Sequence, residues 1–179
     1  MMTFDQNQYV LEMTTMVDKA IERLQSEHPD WEVYTVSIWT DLGAESSAIS
    51  FDSKAHSDQH TDHYNQFIKP YREALLAKHE YKKAMLYAPV EGRNDNPADF
   101  ELRDFGETKH TCFVIDWDNA TEEDLWDILG PVLLQIGEYV LHKTAILKRH
   151  PEFELGINGK LDWYETTWSA TGKSVNRLC

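Results

Sequence analysis

The sequence predicts an α+β fold, a single domain in which a mostly antiparallel sheet packs against two long helices. Three observations predict it. Residues 8–24 and 121–141 repeat apolar side chains at three- and four-residue steps. The stretches 32–52 and 153–165 instead alternate about turn sequences, as half-buried strands do. With 179 residues, the chain is long enough to bury one core without a disulfide or a metal. The domain is expected to span 1–168, with 169–179 a flexible tail.

In the first helix Val10, Met13, Val17, Ala20, Ile21 and Leu24 form one stripe. Asp5 or Thr3 caps its start, and Pro29 ends it. Met13 and Met16 are core filler at this spacing. WEVYTVSIWT then reads as a strand with Tyr34, Val36 and Ile38 on one face and Val33 and Trp39 on the other. A turn at Gly43 leads to a second strand, ESSAISFD. From Lys54 to Gln66 the chain is polar and His-rich and reads as a connector, with a second helix starting or kinking at Pro70. Ala84–Ala88 reads as a short strand and PVEGRNDNPADF as a loop.

His110–Trp117 is expected to be a strand, centred on Phe113, Val114 and Ile115. Thr121 and Asp124 then make a capping-box pattern that opens the most apolar helix, in which Gly130-Pro131 predicts a bend or a break. Asn158-Gly159 between alternating segments predicts a tight hairpin that sets Phe153, Leu155 and Ile157 against Leu161 and Trp163.

Composition narrows the function classes. The formal net charge is −14, from 31 acids against 17 bases. A nucleic acid or an anionic membrane surface is repelled by such a field, so neither is an expected partner. Six Trp and 41% hydrophobic residues are too many for a disordered acidic tail. No basic and apolar leader opens the sequence, no apolar run approaches 18 residues, and the cysteines are only Cys112 and Cys179. The cytoplasm is the expected location.

Two clusters carry chemistry. His56, His60 and His63 fall within about 60° of one helix face if their segment is helical, so two or three imidazoles can chelate a transition metal such as zinc. Asp52, Asp116 or Asp118 is the candidate carboxylate ligand. The segment lacks the glutamate of an H-E-x-x-H motif. The second cluster is acidic: Asp116, Asp118, Glu122, Glu123, Asp124 and Asp127. The window 89–127 holds 12 acids and 3 bases, a net −9. Acids in a first helical turn complement the helix dipole, which accounts for Glu122, Glu123 and Asp124 but not for the rest. His110 and Cys112, two apart on a strand, are a geometrically conceivable nucleophile pair. Gly172-Lys173-Ser174 imitates the end of a phosphate loop without its first glycine. Trp163 and Trp168 are the tryptophans freest to line a groove, although core or sheet-face packing is the more expected role for them.

The amphipathic helix ending in HPDWEVYTVSIWTD, followed by a serine-rich strand, resembles a family of small acidic bacterial proteins of unknown function, some of which lie in toxin–immunity loci. The resemblance covers residues 8–52 and, loosely, the third helix. It implies an immunity or antitoxin-like role and assigns no functional residue. Together with the charge, it leads to an expected function: a non-enzymatic acidic binding protein that blocks a basic partner such as a nuclease. Asp116, Asp118, Glu122, Glu123 and Asp127 are expected to mimic phosphate charges toward lysines and arginines, and no cofactor is expected. The alternative is a metal-dependent hydrolase centred on His56, His60 and His63. A homo-oligomer joined through exposed Trp and Tyr is a third reading.

Overall fold

The computed structural model of the chain describes residues 2–174. In order these form β1 (Met2–Phe4), α1 (Gln6–Glu27), β2 (Val33–Thr40), β3 (Ser46–Asp52), α2 (Lys54–Ala77) and α3 (Tyr81–Ala84). Then follow β4 (Leu102–Lys109), β5 (Phe113–Ile115), α4 (Glu122–Lys143), β6 (Arg149–Ile157), β7 (Thr166–Ser169) and β8 (Gly172–Ser174). The fold is α+β. Six strands form a sheet in the order β4-β3-β2-β6-β7-β8, and β1 pairs with β5 in a small second sheet.

The helices start where local chemistry dictates. The Asp5 carboxylate accepts the Gln8 amide at 3.1 Å and caps α1. Thr121 and Asp124 cap α4 reciprocally, the Asp124 amide donating to Thr121 Oγ1 at 3.2 Å and the Thr121 amide to Asp124 Oδ2 at 2.8 Å. Both helices lie on one sheet face. Met13, Val17 and Leu24 of α1 and Leu125, Leu129, Leu133 and Ile136 of α4 join Val36, Ile38, Ile49, Phe51 and Leu155 in one buried cluster.

The opposite face is polar. Thr35 stands opposite Asp52 and Ser37 opposite Ser50, all fully buried. Three of them have polar partners: Asp52 Oδ1 accepts from His56, the Asp104 amide donates to Ser50 Oγ, and Arg93 donates to Thr35, while Ser37 Oγ is buried without one.

Several expectations are corrected. The sheet is mixed, because β2 and β6 run parallel, and α2 is a third long helix. The connector at 54–66 is the first half of α2, which Ser53 caps and which continues through Pro70. Its inward positions are Ser57 and Thr61, suited to a polar sheet face, so no apolar stripe announces it. Likewise α4 runs unbroken through Gly130-Pro131, held by the buried residues on either side. A register shift between Val33 and Thr35 puts Val33, not Tyr34, in the main core with Val36 and Ile38.

Residues 84–88 form a helical turn rather than a strand. His110–Trp117 is a strand only at Phe113–Ile115, in the small sheet. Asn158-Gly159 makes no tight hairpin: β6 pairs with β7, and Leu155 stands opposite Trp168. The tail expected from 169 opens with a turn into β8, which pairs with β7, and its last five residues lie outside the described ones.

Candidate functional site

A groove opens where β2 leaves the sheet beside the segment that follows β6. A cavity of about 450 Å³ is lined by Trp39, Asp41, Leu42, Lys160, Leu161 and Trp163, among others. Asn158 fixes its floor. The Thr40 amide donates to Asn158 Oδ1 and Asn158 Nδ2 donates to the Thr40 carbonyl, both at 2.8 Å. Trp39 and Trp163 meet edge to face at 6.1 Å, and the Trp39 indole donates to Asp104 Oδ1. The apolar side chains are open to solvent, Leu161 at 90% exposure and Leu42 and Trp163 at 52% each. Such exposure concentrated at a concave place marks an interaction surface more than a random surface residue does.

The start of α4 borders this groove. The Trp126 indole donates to the Leu42 carbonyl at 3.3 Å, and Lys160 pairs with Glu123. The Lys160 ammonium is held above its usual range, first by its hydrogen bond to Glu123 and then by the charges of Glu123, Glu122 and Asp127. Of the five expected acidic residues, Glu123 therefore pairs with the cation at the groove's edge, and the charges of Glu122 and Asp127 act on it from farther away. Asp124 is spent on its helix cap. Asp116 closes the turn before α4, accepting from Asn119 at 2.8 Å, which lowers its pKa. Asp118 is exposed in the same turn.

His56 and His60 lie side by side on α2, ring centroids 6.4 Å apart, but among the described residues the trio forms no three-ligand cluster. His56 Nδ1 bonds Asp52 at 2.7 Å, His60 Nε2 lies 3.6 Å from Asp99, and His63 is exposed. Among the described residues, the one group of three or more potential ligands within 4.8 Å of one another is Glu12, His110 and Cys112. Glu12 Oε2 bonds His110 Nδ1 at 2.9 Å, and His110 Nε2 bonds Ser47 Oγ at 2.7 Å. Ser47 Oγ in turn bonds Thr40 Oγ1 at 2.7 Å, and Thr40 Oγ1 lies 3.3 Å from the Tyr9 hydroxyl.

An ionised Glu12 only accepts, so Nδ1–H donates to it and Nε2 accepts from Ser47, giving a chain directed from Tyr9 to Glu12. Burial opposes protonation of the His110 ring. It also pushes the Cys112 thiol up to about 12, helped by the Glu12 charge, so Cys112 carries no thiolate for nucleophilic work at neutral pH. Ser47, His110 and Glu12 have the connectivity of a hydrolytic triad, but Ser47 is 1% exposed and its oxygen also bonds Thr40 Oγ1.

Sequence reasoning named Trp163 and Trp168 as the tryptophans freest to line a groove while favouring core packing for both; Trp163 is half exposed at the groove and Trp168 is buried at 1% exposure. It missed Trp39, Leu42 and Asp41, which become groove residues only when the 158–165 segment folds beside them. It missed Glu12 as well, 98 residues from His110. No helix among the described residues is long and apolar enough to cross a membrane. Compared with known proteins, the chain matches no family model, no curated protein and no solved structure, so no family is assigned to it.

Proposed function

We propose that the protein is a non-enzymatic binding module that captures a basic protein segment at the groove beside α4. One observation carries this reading: an exposed Trp163–Leu161–Leu42 surface adjoins Glu122, Glu123 and Asp127, which outnumber the single Lys160 among them. The aromatic and aliphatic side chains supply burial, and the carboxylates supply attraction and orientation. Blocking a basic toxin, the role implied by the resemblance, is the specific form of this reading. Asp116 and Asp118 then act at longer range, adding to the field that steers the partner in.

A peptide of alternating Arg and Leu, titrated against the full chain and followed by tryptophan fluorescence, tests it. Saturable binding is expected, weakening as salt rises. Trp163→Ala abolishes most of it, and Glu122→Gln with Asp127→Asn weakens it and flattens the salt dependence. Equal binding by the wild type and both variants contradicts the reading.

A further inference from the structure

The Glu12–His110–Cys112 cluster lies away from the groove, and no role described above uses it. We propose that it is a binding site for a zinc-like divalent transition-metal ion. The reading is independent of the basic-partner proposal.

The donor set is the first argument. Carboxylate oxygen, imidazole nitrogen and thiolate sulfur together suit a borderline-soft ion and exclude magnesium and calcium as the preferred occupant. Three donor atoms within 4.8 Å of one another are close to what a tetrahedral centre needs, since ligands bonded at roughly 2.0–2.3 Å stand about 3.4 Å apart.

The surrounding shell is the second argument. Glu12 Oε1 is held by Gln8 Nε2 at 2.9 Å, by Thr111 Oγ1 at 3.0 Å and by the Thr111 amide at 3.4 Å, which leaves Oε2 directed at His110. On the far side of the ring, Ser47 Oγ stands 2.7 Å from Nε2. An outer partner on one ring nitrogen is what orients an imidazole for metal binding through the other. The sequence supplies these parts from three places: α1 brings Glu12 and Gln8, β3 brings Ser47, and the link from β4 to β5 brings His110, Thr111 and Cys112.

Charge and protons balance. The Cys112 thiol gives its proton to solvent. His110 stays neutral, moving its proton from Nδ1 to Nε2, where it donates to Ser47. Carboxylate and thiolate then neutralise a dication, so the filled site puts no net charge into a buried place. A surface groove of about 290 Å³, lined by Gln8, Glu12, Met16, Lys19, Glu107 and Thr108, reaches Glu12 and gives the ion its route in. Three protein donors leave the fourth position to water or a solute.

Cobalt(II) titration of the full chain in a Cys179→Ser background tests the site. The expected result is one ion per chain, with a thiolate-to-cobalt charge-transfer band that zinc abolishes by displacement. Cys112→Ser loses the band, and Ser47→Ala weakens binding roughly 10- to 100-fold, as outer-partner losses do. Replacing both His56 and His60 by Ala leaves the band unchanged. Calorimetry of zinc binding in two buffers of different ionisation enthalpy reads the proton count on the otherwise unaltered chain, so it does not depend on whether a variant folds; release of one proton is expected. Absence of the band, its loss with the His56 and His60 replacements, or zinc binding without proton release overturns the proposal.

Discussion

Asn158 stands in for a strand residue opposite Thr40, taking both of its backbone polar groups into one side-chain amide at 2.8 Å each. Both residues are buried, so neither backbone group has water as a substitute. The contact ends β2 and β6 together and sets the groove floor. Asn158→Ala is expected to cost about 2–6 kcal/mol in urea unfolding, because it orphans a donor and an acceptor at roughly 1–3 kcal/mol apiece. A loss within about 0.5 kcal/mol of zero, the range of an ordinary surface change, contradicts this role.

The same residue shows where sequence reasoning stops. An Asn-Gly pair between alternating segments is a local signal for a tight turn, and a partner 118 residues away overrides it. What was legible was local: the α1 stripe with its Asp5 cap, the β2–β3 hairpin and the α4 capping box. What was hidden depends on pairing at a distance. The parallel match of β2 with β6 leaves no mark in either strand. The first half of α2 buries polar side chains, His56 bonding Asp52 of the sheet and Ser57 accepting from the Asn94 amide, so no apolar stripe marks it. Of the candidate site, the carboxylates and Trp163 were readable, while Trp39 and Leu42 needed the fold.

Gly137 is buried in α4 where the Trp168 ring leaves no room for a Cβ. Alanine ordinarily stabilises a helix interior by about 0.5–1 kcal/mol over glycine. Here Gly137→Ala is expected to destabilise by about 1–3 kcal/mol through overpacking, read as a lower thermal midpoint. A raised midpoint contradicts the packing described.

The His110 ring titrates below its usual 6.5, chiefly because burial disfavours its charged form. A depressed pKa means that the unfolded chain binds the proton more readily. The stability this group contributes is therefore fully present above about 6.5 and is lost as pH falls through the folded value. Glu12 is also lowered: burial raises it, but the bonds from Gln8, His110 and Thr111 outweigh that, so its own loss begins only below about 4.5. Urea unfolding from pH 8 to 5 is expected to show a decline that His110→Gln flattens. An equal slope in wild type and variant removes this linkage.

The Cys112 thiol, pushed up to about 12, is expected to be nearly inert toward a disulfide reagent at pH 8. In a Cys179→Ser chain held with a chelator, its reaction is expected to be slower than that of a free cysteine by roughly three orders of magnitude, the ratio of their thiolate fractions. Unfolding in urea restores the ordinary rate. Fast labelling of the native chain contradicts the burial and charge placed around it.

The central claim is that the Trp39–Trp163 groove and the first turns of α4 are one binding surface. Nitrogen–proton correlation spectra of the labelled chain with the Arg–Leu peptide test it most directly. The account predicts that the indole signals of Trp39 and Trp163 and the amides of 122–127 shift together along one saturation curve, while those around His56 stay in place. Shifts confined to α2, or indoles and α4 amides responding with different affinities, contradict it.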